Sequence, residues 1–278
     1  MKRVFFSFLL FFSFVFGETV HLSNTSFYTG DFGVLSIKGF NPASRYQIVL
    51  KNRYGRWEFP VKDDIAFFSV PLLVKGRSIS LYLKKDGKII YARKLKINHK
   101  KYRISKIWVK KRKITKEVLK RIKEEHRLLR RTLKVYTDRL FKENKMERPL
   151  KKLIITTPFG AKRIINGKKS SYHWGTDFKG KTGDPVFAVL SGKVAIAQDM
   201  FYTGKTVVIN HGLGLYTLYA HLSKISVKKG EFVKAGDIIG KVGSTGRSTA
   251  PHLHFGVYIN DVKVDPMLIL SKNLIIGN

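Results

Sequence analysis

From Ile154 onward the chain bends at glycine almost continually, and no apolar pattern at helical spacing persists there for more than a turn or two. Such a stretch is built from short strands and tight turns, so it predicts a compact antiparallel sheet. Two segments within it resemble one another. Lys181-Thr182-Gly183-Asp184-Pro185-Val186-Phe187-Ala188 leads into Gly192-Lys193-Val194. Lys229-Gly230-Glu231-Phe232-Val233-Lys234-Ala235-Gly236-Asp237 leads into Gly240-Lys241-Val242. Each reads as turn, strand, turn, strand, which gives two hammerhead-like repeats.

The N-terminal part is also β in character. Val34-Leu35-Ser36-Ile37, Tyr46-Gln47-Ile48-Val49-Leu50 and Ser78-Ile79-Ser80-Leu81-Tyr82-Leu83 read as strands, and Asp86-Gly87 marks a hairpin turn before Ile89-Ile90-Tyr91. A small β-sandwich is expected over residues 18–99. Residues 100–152 differ in kind, with 22 Lys/Arg against 6 Asp/Glu. There Ile114, Val118, Ile122, Leu129, Leu133 and Leu140 recur at helical spacing, with Thr115 placed to cap and Pro149 to stop. The pattern predicts one long amphipathic helix over 115–144, bridging two β-rich domains. The expected layout is thus a signal peptide (1–17), a sandwich-like domain (18–99), a basic helical linker (100–152), a C-terminal domain (153–270) and a tail (271–278). The fold class expected is mainly β.

Lys+Arg minus Asp+Glu over the 278 residues is 54 − 19 = +35, a field that draws polyanions. Lys2-Arg3 followed by the apolar run Val4–Phe16, with Val15 and Gly17 as the small residues before cleavage, reads as an export signal cut after Gly17. An uncleaved membrane anchor is the other reading. Both put the chain outside the cytoplasm, in the periplasm or cell envelope, and set nucleic acid aside as a partner. The absence of cysteine excludes disulfides, thiolate metal ligands and a cysteine nucleophile. Any metal site must come from His, Asp or Glu.

Five of the eight histidines fall between 173 and 254: His173, His211, His221, His252 and His254. In a strand, His252 and His254 point to one face and Leu253 to the other, so both imidazoles can address one metal or its reactant. His173-Trp174-Gly175-Thr176-Asp177 adds a carboxylate. On a flat strand His173 and Asp177 stand about 13 Å apart, so sharing a metal requires the backbone to bend, and Gly175 supplies that freedom. Two His and one carboxylate make a ligand set that zinc uses in hydrolytic sites, with a position left for water. His21, His99 and His126 are isolated and read as surface residues.

The segments His173-Trp174-Gly175-Thr176-Asp177, Tyr219-Ala220-His221-Leu222, Gly243-Ser244-Thr245-Gly246 and Pro251-His252-Leu253-His254-Phe255 together resemble the lysostaphin/LytM-type zinc endopeptidases of peptidoglycan. The resemblance runs from Thr157-Pro158-Phe159-Gly160 to Asp265-Pro266. It implies His173, Asp177 and His254 as ligands of one Zn2+, His221 and His252 as catalytic histidines, and peptidoglycan peptides as substrate. His211 is expected in a turn, outside the ligand set. Three other readings share the composition: a catalytically silent activator or wall-binding module of the same fold, a carrier domain, and a nucleic-acid binder. The carrier reading lacks a modifiable lysine in its characteristic motif. The full set of ligand and catalytic histidines favours the enzyme. A cover over the cleft is expected of residues 18–150 if they mask the site.

Overall fold

The computed structural model describes residues 17–108, 115–167 and 169–275. The export signal expected over residues 1–17 lies outside them except for Gly17. No helix among the described residues is long and apolar enough to cross a membrane.

The first eight strands are β1 (Thr19–Leu22), β2 (Ser26–Tyr28), β3 (Phe32–Lys38), β4 (Tyr46–Asn52), β5 (Gly55–Val61), β6 (Ile65–Ser69), β7 (Ser78–Lys85) and β8 (Lys88–Asn98). They form two sheets, β1-β3-β6 and β2-β8-β7-β4-β5. Period-two burial explains the arrangement. Ile79, Leu81 and Leu83 of β7 turn inward with Ile48 and Leu50 of β4, against Leu35, Ile37, Ala66 and Phe68 of the smaller sheet. The Asp86-Gly87 turn has φ of +50° and +83°, the left-handed pair that a two-residue hairpin needs.

The smaller sheet is buried on both faces. Phe32 and Val34 of β3 and Ile65 and Phe67 of β6 alternate with the sandwich residues and enter a second core made with the C-terminal sheet. The two β-rich regions therefore share an apolar interior instead of being held apart by a helix.

β9 (Ile104–Ile107) precedes α1 (Lys116–Leu133). Thr115 caps α1 as expected, its hydroxyl accepting from Val118 N at 3.3 Å. The helix stops eleven residues short of the expected end, 144 against 133. Beyond Leu133 the backbone amides bond elsewhere: Leu140 N donates to His211 O (3.0 Å) and Glu147 N to Val189 O (2.7 Å). Phe141, Met146 and Leu150 are buried in the second core from this extended chain, a stronger demand than continuing the helix.

The rest comprises β10 (Ile155–Thr157), β11 (Lys162–Ile165), β12 (Lys169–Tyr172), β13 (Thr176–Lys179), β14 (Pro185–Phe187), β15 (Gly192–Met200), β16 (Gly204–Gly212), β17 (Leu215–Leu222), β18 (Lys224–Ile225), β19 (Phe232–Val233), β20 (Ile238–Lys241), β21 (His252–Ile259), β22 (Val262–Val264) and α2 (Pro266–Leu270). The main sheet runs β10-β13-β21-β17-β16-β15-β19, with β22 on β21. The two repeats interlock: β14 pairs β20, and β15 pairs β19. Their turns share one device. Asp184 accepts from Lys181 N, Asp237 from Lys234 N and Glu231 from Lys228 N, at 2.7, 2.7 and 2.8 Å.

The sheet has two faces with different work. Leu253, Phe255, Val257 and Ile259 of β21 point back into the core shared with β3 and β6. His252, His254 and Tyr258 alternate with them on the front, where Tyr258 packs with Leu218 and Tyr216 of β17 and with Leu133 of α1. The contact made by β3 and β6 is thus on the side away from the histidines, not over them.

Candidate metal centre

The register of β13 on β21 sets Asp177 directly opposite His254. His173 arrives from the chain between β12 and β13, which is not strand, so the expected bend is present. The role of Gly175 differs from the expected one. A Cβ there would stand 2.5 Å from Phe255 O and 2.7 Å from the His254 ring. Glycine is needed for closeness, not for an unusual φ.

His173 Nε2 lies 2.9 Å and His254 Nδ1 2.7 Å from Asp177 Oδ1, and the two nitrogens are 3.1 Å apart. His173 and Asp177 are buried. His173 Nδ1 faces Pro158 O at 3.1 Å. A carbonyl only accepts, so Nδ1 carries a hydrogen there, and Nε2 is the nitrogen turned to the carboxylate. Three ligand-type atoms converging that closely form a cluster that could hold a metal ion. Burial pushes the Asp177 carboxyl up, but hydrogen bonds from His173 and His254 outweigh it and hold the group well below the usual carboxylate range. Ligands about 2.0–2.1 Å from a tetrahedral zinc stand roughly 3.3 Å from one another. This triangle needs to open by only a few tenths of an ångström, and the donor set fits zinc.

His252 Nε2 is 3.8 Å from Asp177 Oδ1, and the His221 ring centroid is 4.8 Å from that of His252 and 6.0 Å from that of His254. His221 has φ +62°, a left-handed conformation that a bulky residue adopts under constraint. The constraint is visible. Its backbone N donates to Thr203 O and its Nδ1 to Thr245 O, both at 2.8 Å. His252 Nδ1 likewise donates to Ala250 O at 2.8 Å. Both rings therefore spend Nδ1 on the backbone, which leaves Nε2 for other partners. Burial pushes the His221 imidazole down to about 4, against the Thr245 bond, so it is neutral at pH 7. The Gly243-Ser244-Thr245-Gly246 segment has a plain purpose here: Gly246, at φ +71°, passes so close to Gly204 that a Cβ would lie 2.3 Å from Gly204 N.

His211 corrects an expectation. It lies in β16, not in a turn, and is wholly buried, with Nδ1 donating to Ser191 O (2.9 Å) and the Thr217 hydroxyl donating to Nε2 (2.8 Å). Leu213-Gly214 makes the turn. Among the described residues the one His/Asp/Glu group arranged to hold a metal is His173, Asp177 and His254, and His21, His99 and His126 take no part in it. Sequence reasoning missed Arg163, whose guanidinium on β11 stands 3.7 Å from Asp177 Oδ2.

Residues 171–266 match peptidase family M23. The C-terminal region belongs to that family. The M23 region of this chain is similar to peptidoglycan DD-endopeptidase ShyB of Vibrio cholerae, 42% identical over 125 residues, which are 43% of this chain and 29% of ShyB. It is also similar to lysostaphin of Staphylococcus staphylolyticus, 44% identical over 115 residues, 39% of this chain and 23% of lysostaphin. The match thus spans less than a third of either relative. A Pseudomonas aeruginosa crystal structure assigned to peptidase M23 shares the fold at a TM-score of 0.66 and 28% identity, over 88% of this chain and 95% of the other. That likeness takes in most of the N-terminal region as well as the M23 region.

Proposed function

We propose that this protein is a zinc-dependent endopeptidase that hydrolyses peptide cross-links or stem peptides of bacterial peptidoglycan, acting in the periplasm or cell envelope. The observation that carries the reading is the closure of His173, Asp177 and His254 into one cluster whose donor atoms lie within 4.8 Å of each other, beside two further imidazoles. Those three residues would hold the zinc. When bound, it supplies a Lewis acid that activates water and polarises the scissile carbonyl. His221 and His252, each with Nδ1 fixed on a backbone carbonyl, present Nε2 to the reacting atoms, one to take the proton of the attacking water and the other to serve the carbonyl oxygen or the leaving amine. Arg163 steadies the outer oxygen of Asp177. Residues 153–270 form the catalytic unit, with 18–99 and 100–152 as its support. The similarity to ShyB, a peptidoglycan DD-endopeptidase, and the basic charge of the chain favour a wall polymer as substrate.

The purified protein is expected to carry about one zinc per chain and to release cleaved muropeptides that mass spectrometry identifies bond by bond. Protein loaded with zinc that leaves every cross-linked muropeptide intact would refute the reading.

A further inference from the structure

α1 is anchored on the catalytic side of the sheet. Leu128, Leu129 and Leu133 pack with Met200, Val208, Tyr216 and Leu218 on the face that carries His252 and His254. Arg121 pairs with Asp199 at 3.0 Å, and Glu125 accepts from Phe201 N at 2.8 Å. The turn that follows Phe201 is the one whose Thr203 carbonyl holds His221. The helix is therefore tied to the same turn as a catalytic histidine.

Its outer face is a line of cations. Lys116, Lys120, Lys123, Arg127, Arg130 and Lys134 follow at spacings of four, three, four, three and four, which sets them on one stripe of a helix about 27 Å long. All six are exposed, and none makes an ion pair among the described residues. Like charges at these spacings destabilise a helix, and among the described residues no ion pair offsets them. A ligand that neutralises the row must be anionic and extended. A bilayer is the poorer match, because the helix has turned its apolar side onto the sheet, and of its exposed residues only Leu119 is apolar.

We propose that this row is a second binding site for the substrate polymer, gripping carboxylates of wall peptides next to the strand being cut. The inference rests on the peptidoglycan reading above for the identity of the polymer. Each exposed contact is weak, so the grip comes from several at once and is screened by salt.

The test uses the full chain and its variant K120E/K123E/R127E/R130E, checked for folding by circular dichroism and thermal unfolding. Expected are a loss of about tenfold or more in co-sedimentation with intact sacculi at low salt, a similar loss for the unaltered protein when sacculus carboxylates are amidated, and a fall of about tenfold in the ratio of sacculus to soluble cross-linked dimer cleavage. Unchanged sedimentation overturns the proposal. So does an equal fall on both substrates, which would mark the helix as a structural prop, or a variant that loses phosphatidylglycerol vesicle binding while keeping sacculi. If the reversed-charge variant unfolds, the four glutamine replacements give the same readout. Unaltered protein that sediments with sacculi through these residues yet cleaves nothing would sink the enzymatic reading and leave the binding row standing.

Discussion

His211 gives the sharpest test of the buried architecture. Its ring is fully enclosed, bonded at Nδ1 to Ser191 O and at Nε2 to Thr217, whose hydroxyl lies 3.2 Å from the Tyr219 hydroxyl. Desolvation pushes the imidazole down to about 4, against its backbone bond and the charge of Glu143. In the unfolded chain it titrates near 6.5. Between those values the unfolded state binds a proton that the folded state refuses, so stability is full above about 6.5 and is lost as pH falls towards 4. From pH 7 to pH 4.5 the linkage comes to about 2–3 kcal/mol. Glutamine at this position cannot titrate. H211Q is expected to lose about 1–2 kcal/mol at pH 7 through imperfect hydrogen bonds, and to show a flatter acid limb. Urea unfolding of both proteins at pH 7 and 4.5 measures it, and the other titrating groups, the site histidines included, cancel in the difference. Parallel pH dependence in the two proteins would refute the argument that His211 is held neutral by burial.

Three further outcomes follow from the geometry. G175A drives a Cβ into Phe255 O and the His254 ring, so zinc content of the purified protein should fall at least tenfold while the N-terminal sandwich stays folded by circular dichroism. H221A and H252A should each keep about one zinc and lose muropeptide cleavage by roughly 100-fold or more; metal loss in either would exchange its role with that of a ligand. Deleting residues 18–150 uncovers the back of the sheet, where Phe32, Val34, Ile65 and Phe67 are buried. At about 1.5–3 kcal/mol each, that loss should lower the thermal midpoint by more than about 10 °C without raising activity; a stable, more active fragment would restore the idea of a cover.

Much of this was legible wherever the chain speaks locally. The alternation in Ser78–Leu83, the Asp86-Gly87 turn and the H-x-H strand with Leu253 behind it all depend on neighbours two to four residues away. What failed to show was set by distant partners. The apolar residues after Leu133 look like more helix, but Phe141 and Met146 are claimed by a core that forms only when the sheet is complete. Asn210-His211-Gly212 has the composition of a turn, yet Gly212 still pairs with Leu215, and the bend falls one residue later. Arg163 meets Asp177 only because a neighbouring hairpin is laid against the site. The two-faced burial of β3 was invisible for the same reason: a continuous apolar run does not say what lies on either side.

β21 is inserted between β13 and β17 near the middle of the main sheet, and it brings His254 to Asp177 across 77 residues of chain. The nascent polypeptide can assemble the donor triangle only after His254 has been made, and closure of so long a loop is slow. The candidate metal centre is therefore complete only once β21 is in place. A copy that stops short of β21 holds His173 and Asp177 but no complete donor triangle.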